Sequence, residues 1–326
     1  MSFSFANRTA IITGIYHCFR PPSYPHRKGL NLFLLFSSSF HFSHNSLFFL
    51  FLFLGSSRGI GRVLALNLAK QGCNIVVAAK STEPQPNLPG TIYTVADEIE
   101  ALGAKALPFP LDVRDDTKIE DCVAATMKEF GRIDYLCNNA GALWWKPIEE
   151  TPMFRYDLIN SINSRGSFAL SAACLPHMRE AGYGHIVNQS PPIQTDKLAG
   201  MTAYYISKFG MTLGALGIAQ EYKGKGVAAN SIWPNTLIES SATENHALGK
   251  PEFWRKAEVL TDAIMGIFSQ DPNVCTGNQF IDETFLREWM QETDFTKYQC
   301  VPGSEPPTME QLVEKMGKFD AGRAKV

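Results

Sequence analysis

Residues 8–14 read RTAIITG, and residues 56–72 read SSRGIGRVLALNLAKQG. The first stretch is a short β-branched run that ends in glycine, which is typical of a buried strand. The second begins as a glycine-rich turn and continues with apolar residues at helical spacing. Placed end to end, the two stretches predict a strand, a tight turn and a helix in immediate succession, the unit that opens a doubly wound α/β fold.

The 41 residues between these stretches differ in composition from the rest of the chain. Residues 15–55 hold nine of the 22 Phe and four of the seven His, and they contain no Asp or Glu. A transmembrane or signal-anchor helix over residues 30–55 is one interpretation, but His41, His44 and the serine run 37–39 would be costly in hydrocarbon. A buried amphipathic helix is a second, but no polar stripe of helical period is present. We therefore predict an aberrant apolar insert outside the fold and hypothesise that it is translated intron.

Strand and helix patterns alternate through the rest of the chain, which is long enough for one domain once the insert is set aside. A continuous apolar run predicts a buried strand at residues 74–79, further strands are predicted at 105–111, 135–138, 184–188 and 227–233, and residues 278–281 would add a final edge strand. Helical patterns occupy residues 63–69, 96–102, 118–130, 168–178, 203–222 and 251–268. Such an alternation requires crossover connections, hence a mostly parallel sheet with helices on both faces. We predict a single doubly wound Rossmann-type α/β domain over residues 1–14 and 56–300, interrupted by the insert and followed by a polar tail at 301–326.

The overall composition limits the classes of function. The chain carries 30 Lys and Arg against 32 Asp and Glu, a formal net charge of -2. No excess of positive charge is therefore available to neutralise nucleic-acid phosphates or anionic lipids. The seven cysteines include no C-x-x-C pair, and no histidines cluster with them at metal-ligand spacing. We predict reduced, buried thiols and no metal site.

The rejoined turn has the chemistry of a dinucleotide site. Gly14, Gly59 and Gly61 would permit a tight turn and a close approach of the backbone to a pyrophosphate, and the N–H groups of the following helix would bind the phosphates. A site for NAD places an Asp or Glu at the end of the second strand, whereas this chain has Lys80. Lys80 and Arg58 favour a ribose 2′-phosphate, hence NADP over NAD, and solvated surface charges are the alternative.

Tyr204 and Lys208 lie four residues apart on a predicted helix and so project from one face. A lysine ammonium beside a phenol favours the phenolate and lowers its pKa from about 10, which lets tyrosine act as an acid or base near neutral pH. Tyr24 and Lys28 match the same spacing inside the insert. Context separates the two pairs, because only Tyr204 follows a core strand and opens a long helix.

Together these motifs resemble the short-chain dehydrogenase/reductase family. The resemblance covers residues 6–14 and 56–290. It rests on the glycine-rich turn, on Asn138-Asn139-Ala140-Gly141, on Asn163 and on Tyr204-x-x-x-Lys208, all in the family's order.

The resemblance implies roles for single residues. Tyr204 would exchange a proton with the substrate oxygen, Lys208 would hold the nicotinamide ribose and lower the pKa of Tyr204, and Asn163 would position a water in the proton relay. Asp112 would bind the adenine, and Asn139 would order the cofactor face. The cofactor-binding set implied in this way is Gly14, Ser57, Arg58, Gly59, Ile60, Gly61, Lys80, Asp112, Asn139 and Lys208.

Three departures from the family pattern matter. The family's usual catalytic serine stands thirteen residues before the tyrosine, and here that position is Pro191. The adjacent Ser190 is the substitute that we predict. Asn235 stands where the family more often has glycine after a proline, and the insert splits the phosphate loop between its first and second glycines.

The function implied is an NADP-dependent oxidoreductase that acts on the carbonyl/alcohol pair of an apolar, lipid- or steroid-like small molecule. Trp144, Trp145, Pro191 and Pro192 would lie near its pocket, although core packing is an equally natural role for the tryptophans. The alternative is a catalytically silent or mis-spliced relative whose insert blocks cofactor binding, tethered to a membrane if residues 30–55 form a span. The resemblance also implies a homo-oligomer. We expect a cytoplasmic protein, with peroxisome or mitochondrion as alternatives.

Overall fold

The fold is that of a computed structural model, which describes residues 10–12, 15–16, 49–54, 57–84, 90–196, 198–240, 243–244, 248–312 and 314. The strands in chain order are β1 Ala10–Ile12, β2 Ile15–Tyr16, β3 Phe49–Leu54, β4 Cys73–Ala79, β5 Ala106–Pro110, β6 Tyr135–Asn138, β7 Gly141–Ala142, β8 Gly184–Gln189, β9 Val227–Trp233, β10 Leu237–Ile238, β11 Trp254–Arg255 and β12 Gln279–Ile281. The α-helices are α1 Gly59–Lys70, α2 Ile92–Ala101, α3 Asp116–Phe130, α4 Met153–Asn160, α5 Gly166–Ala181, α6 Thr202–Glu221, α7 Glu258–Phe268 and α8 Asp282–Trp289.

Eight strands form one parallel sheet in the order β12-β9-β8-β6-β1-β3-β4-β5. Strands β4, β6 and β8 are buried along their whole length, because helices cover both faces of the sheet. Helices α1, α2, α7 and α8 contribute to the apolar core on one face, and α3, α5 and α6 contribute to the core on the other. The predicted doubly wound parallel sheet is confirmed.

The centre of the sheet has two candidate first strands. Strand β1 and strand β3 each pair with both β4 and β6. Ile11 and Leu52 even pair with the same residue, Leu136. Ile11 and Leu52 lie 41 positions apart in the sequence, and the two strands that contain them have the same register against β6.

The prediction that residues 15–55 lie outside the fold is therefore wrong for Ile15–Tyr16, which pair with β7, and for Phe49–Leu54, which pair with β4 and β6. Residues 49–54 are uniformly apolar, and a central parallel strand buried on both faces favours such a run. In the sequence this strand continues directly into Gly55-Ser56-Ser57-Arg58-Gly59-Ile60-Gly61, so Gly55 can serve in place of Gly14 and the loop is not split. Residues 17–48 lie outside the described residues, and their origin as translated intron stays a hypothesis.

The structure also differs from the sequence predictions at the helix predicted over residues 251–268 and at the predicted C-terminal tail. The helix predicted over residues 251–268 begins only at Glu258, because Trp254–Arg255 pairs as a strand with Leu237–Ile238. Residues 301–312, predicted as part of a polar tail, return to the body of the fold, where Thr308 forms an antiparallel bridge with Thr236.

The described residues also bear on the membrane-span interpretation and on the state of the cysteines. Within the described ranges, no helix is long and apolar enough to cross a membrane. The six cysteines in these ranges are free thiols, five of them buried. Burial raises the pKa of the Cys73 and Cys174 thiols well above the usual value.

Candidate active site

A cavity of about 150 Å³ lies where the parallel strands end. Gln189 ends β8, Trp233 ends β9, and Asn139 follows β6, while Ile60 comes from the start of α1. The carboxyl edge of a doubly wound sheet, beside the first helix, is where this architecture binds ligands. The same cavity contains both Tyr204 and Lys208 in its wall.

Helix α6 positions this pair. It begins at Thr202, so Tyr204 and Lys208 lie in its first two turns and face the sheet, where they are 8% and 5% exposed. The ammonium of Lys208 donates to the main-chain carbonyl of Gln189 at 2.9 Å. It also lies 5.9 Å from the ring centre of Tyr204 and 5.7 Å from that of Trp233.

The electrostatics of the pair differ from the sequence expectation. Burial raises the pKa of the Tyr204 phenol above its ordinary value, and the neighbouring Tyr205 adds to this effect. Burial lowers the pKa of Lys208 to about 7. The predicted lowering of the Tyr204 pKa is therefore not observed, because the loss of hydration dominates and the ammonium lies over the ring while bonded to a carbonyl. At neutral pH the phenol is protonated.

Asn163 lies in a π-helical turn, Ser161–Arg165, that joins α4 to α5. Its side-chain amide accepts from the N–H of Ala142 at 2.7 Å and donates to the carbonyl of Ala142 and to the hydroxyl of Ser207. The turn packs tightly on α6, since a Cβ added to Gly210 would lie 2.6 Å from that of Ser164. Asn163 is thus held beside the Tyr204 helix by β7, and its role in a proton relay stays a prediction.

Ser190 is buried, but it is not in the cavity wall. Its hydroxyl oxygen accepts from the hydroxyl of Thr212 on α6 at 2.8 Å. Pro191, at the family's serine position, is not in the wall either, and its carbonyl accepts from the same hydroxyl. The structure therefore does not bring Ser190 together with Tyr204 at the cavity.

The glycine-rich turn precedes α1, as predicted. Gly59 adopts a left-handed φ of 53°, a conformation that favours glycine, and Ser57 is buried. Arg58 directs its guanidinium to the carbonyl of Gly90 at 3.0 Å, and burial lowers its pKa. Among the described residues no side chain caps the start of α1, and its first turn has no acidic residue, so its N–H groups suit a phosphate. Gly14 lies outside the described residues.

Lys80 and Asp112, both predicted for the adenosine end, lie together. Lys80 directly follows β4, and its ammonium lies 3.1 Å from the carboxylate of Asp112. Arg114 contacts the same carboxylate at 2.6 Å. Two cations thus share one carboxylate at the end of the second strand.

Two features of the wall were missed by sequence reasoning. The N–H of Asn235 donates to the buried carboxyl group of Asp282 at 2.8 Å, and the carbonyl of Asn235 accepts from the N–H of Met309 at 2.7 Å. Met309 itself lines the cavity. A Thr308-x-x-Gln311 capping box orders this segment, and that local signal was available in the sequence.

Comparison with known proteins identifies the family. The model of the short chain dehydrogenase family matches residues 50–247, more than half of the chain. The chain belongs to this family. The match begins at residue 50, inside β3, and does not include β1.

Among its short-chain dehydrogenase relatives, human hydroxysteroid dehydrogenase-like protein 2 is 44% identical over 254 residues, which are 76% of this chain and 60% of that protein. The chain thus spans about 60% of the length of this relative. Residues 78–80, 188–192 and 233–236 predicted a similarity to this protein, which is confirmed.

Two solved structures are also similar. A short chain dehydrogenase from Mycobacterium thermoresistibile is 43% identical, with a TM-score of 0.73, and the match covers 78% of this chain and 91% of that one. A metagenomic short-chain oxidoreductase in complex with NADP is 25% identical, with a TM-score of 0.58, covering 69% and 92% of the two chains.

Proposed function

We propose that this short-chain dehydrogenase is an NADP(H)-dependent oxidoreductase that acts on the carbonyl/alcohol pair of an apolar, lipid- or steroid-like substrate. The observation that carries the proposal is the placement of Tyr204 and Lys208 on one wall of a cavity at the carboxyl edge of the sheet, beside the start of α1. An acid and a cation buried at this edge suit chemistry on a ligand held across the strand ends.

The residues around the cavity fit a nicotinamide dinucleotide. The uncapped start of α1, from Ser57 to Gly61, would hold the pyrophosphate, and the buried oxygen Oδ1 of Asn139 faces no donor among the described residues and so has room for one from a ligand. When bound, the cofactor supplies or accepts the hydride. The first glycine of the phosphate loop in this proposal is Gly55, with β3 as the preceding strand.

Lys80 supports NADP as the preferred form. It occupies the position where a carboxylate would accept from the ribose 2′-hydroxyl, and Arg114 lies beside it on the same Asp112 carboxylate. Charge-assisted contacts to a 2′-phosphate would stabilise NADP over NAD.

Tyr204 would act as the proton donor in the direction of reduction. Its phenol is protonated at neutral pH because burial raises its pKa. As the carbonyl oxygen of the substrate gains negative charge, the phenolic O–H can pass its proton to that oxygen, and the reverse transfer serves alcohol oxidation. The amine of Lys208, held by the carbonyl of Gln189, lies near the Tyr204 ring, and its protonated form would stabilise the phenolate that the proton transfer leaves.

The walls support an apolar substrate. Leu143, Leu237, Ile238 and Leu248 line the cavity, and apolar contact area is the main source of affinity for such ligands. Ser190 is left out of the proposed machinery because its hydroxyl lies against Thr212. The homo-oligomer and the cellular compartment stay predictions.

The decisive experiment compares wild type with Tyr204→Phe. We expect NADPH to bind both proteins with similar affinity in a fluorescence titration, because the phenol ring is retained. Reduction of para-nitrobenzaldehyde, followed by the loss of NADPH absorbance, should fall by about 10²-fold or more in the variant. Wild-type protein that binds no NADPH, or a Tyr204→Phe variant with full activity, would overturn the proposal.

A further inference from the structure

We infer that Trp145 donates its indole N–H to the substrate's carbonyl oxygen, as the second hydrogen-bond donor beside Tyr204. This inference rests on the proposed function and deepens it. Negative charge develops on a carbonyl oxygen that accepts a hydride at its carbon, and fixed donors aimed at that oxygen stabilise the transition state. Tyr204 supplies one such donor, and the position thirteen residues earlier, Pro191, has none to give.

Trp145 is placed to supply the second donor. It lines the cavity, and its ring meets the ring of Tyr204 edge to face, with the centres 6.2 Å apart. Its Nε1 is buried and has no acceptor among the described residues. A buried indole N–H nearly always finds an acceptor, so one without a partner next to the proposed acid indicates that a ligand atom completes it.

The preceding tryptophan shows what a purely structural indole looks like here. Nε1 of Trp144 donates to the hydroxyl of Thr151 at 3.1 Å, and the Arg155 guanidinium lies 5.1 Å from its ring centre. Trp144 packs against the apolar core and is not in the cavity wall. Two adjacent tryptophans therefore differ: the N–H of Trp144 is satisfied, whereas that of Trp145, a residue of the cavity wall, has no acceptor among the described residues.

One other unpaired donor lies on the same wall and is the competing assignment. Nε2 of Gln189 is buried without an oxygen or nitrogen acceptor among the described residues. The Cys137 thiol, a weak acceptor, lies beside this amide, and the main-chain carbonyl of Gln189 holds Lys208. Trp145 is favoured because its ring lies edge to face against the ring of the proposed proton donor, whereas the Gln189 amide already lies beside the Cys137 thiol.

The test uses Trp145→Phe, which keeps an aromatic ring and removes the N–H, with Trp144→Phe as the matched control. Initial rates with NADPH are measured for para-nitrobenzaldehyde and for acetophenone, and NADPH affinity is measured by titration. We expect kcat/KM of Trp145→Phe to fall by about 10²-fold, mostly in kcat, with NADPH affinity changed less than about twofold. Trp144→Phe should keep kcat/KM within about threefold of wild type.

Retained NADPH affinity in Trp145→Phe separates a lost donor from a disturbed fold, because a misfolded variant would also lose the cofactor. Full activity of Trp145→Phe while Tyr204→Phe is inactive overturns the role of Trp145 and leaves the proposed function standing. A loss in Gln189→Leu but not in Trp145→Phe assigns the donor to Gln189 instead. A wild-type protein that binds NADPH but reduces neither carbonyl overturns both.

Discussion

Ile11 and Leu52 lie 41 residues apart in the chain, yet both pair with Leu136 and they also pair with each other. The chain thus carries two first strands for one position of the sheet. Each strand is followed in sequence by a glycine, Gly14 or Gly55, and only the second glycine is continuous with the turn that begins α1.

Two deletions test this redundancy. We expect removal of residues 1–48 to leave a folded protein that binds NADPH, because β3, Gly55 and the turn remain continuous. Removal of residues 15–55 should do the same, because it joins β1 and Gly14 to Ser56. Circular dichroism and NADPH titration measure the two outcomes. Removal of residues 1–55 takes away both strands and should abolish folding, and a folded product there would contradict a need for either.

Lys80→Ala should change cofactor preference. Loss of the ammonium removes a charge-assisted contact to a 2′-phosphate, so we expect the Kd for NADPH to rise about tenfold or more while the Kd for NADH changes little. Both constants come from fluorescence titration. The control is Lys118→Ala, since Lys118 pairs with Asp121 on exposed surface. Equal losses for NADPH and NADH would contradict a role for Lys80 at the 2′-position.

Asp282 should make stability depend on pH. Burial raises the pKa of its carboxyl group from 3.8 to about 7 in the fold. The folded state therefore holds the proton more tightly than the unfolded state, and this contribution to stability is complete below pH 4 and is lost as the pH rises through about 7. The loss is of the order of 4 kcal/mol.

Asp282→Asn should remove this dependence while one oxygen still accepts the N–H of Asn235. In urea unfolding, the stability of the variant relative to wild type should therefore increase between pH 5 and pH 8. The exposed Asp157→Asn is the control. A difference between Asp282→Asn and wild type that stays constant over this range would contradict the assignment.

Gly226 and Gly224 form a matched pair for backbone strain. Both have a φ of 72°, but a Cβ on Gly226 would lie 2.0 Å from the carbonyl oxygen of Gly182, whereas a Cβ on Gly224 would meet nothing within 4 Å. Gly224→Ala should lower the free energy of unfolding by about 1–2 kcal/mol, because only the left-handed conformation disfavours a side chain there. Gly226→Ala should cost about 3 kcal/mol or more, because the backbone must also move. Urea midpoints measure both, and equal costs would contradict the close contact.

The parallel core could be predicted from the sequence because it depends on local signals. Apolar runs such as residues 74–79 and 227–233 need no partner to be recognised as buried strands. The run at residues 49–54 carries the same signal, but its unusual flanking composition favoured an insert. Strands β1 and β3 both pair with β4 and β6. These pairings join distant segments of the chain, so no local sequence pattern predicts them.

The candidate site was predictable in its residue types and less so in its electrostatics. The spacing of Tyr204 and Lys208 indicated that they share a face, which they do. Their pKa values depend on the depth of burial and on where the ammonium bonds, and both follow from tertiary packing. The commitment of Ser190 to Thr212 and the contact of Asp282 with Asn235 join distant segments, so sequence spacing could not reveal them.

Asn235 is fixed at both of its main-chain groups, by Asp282 on one side and by Met309 on the other. The loop that bounds the cavity and residues 308–312 are consequently ordered as one unit. Order in residues 308–312 and ligand affinity are reciprocally linked. If ordering of this segment raises the affinity for a ligand by some factor, binding of that ligand favours the ordered segment by the same factor. Protection of these amides against hydrogen exchange would therefore report occupancy at a distance from the reacting atoms.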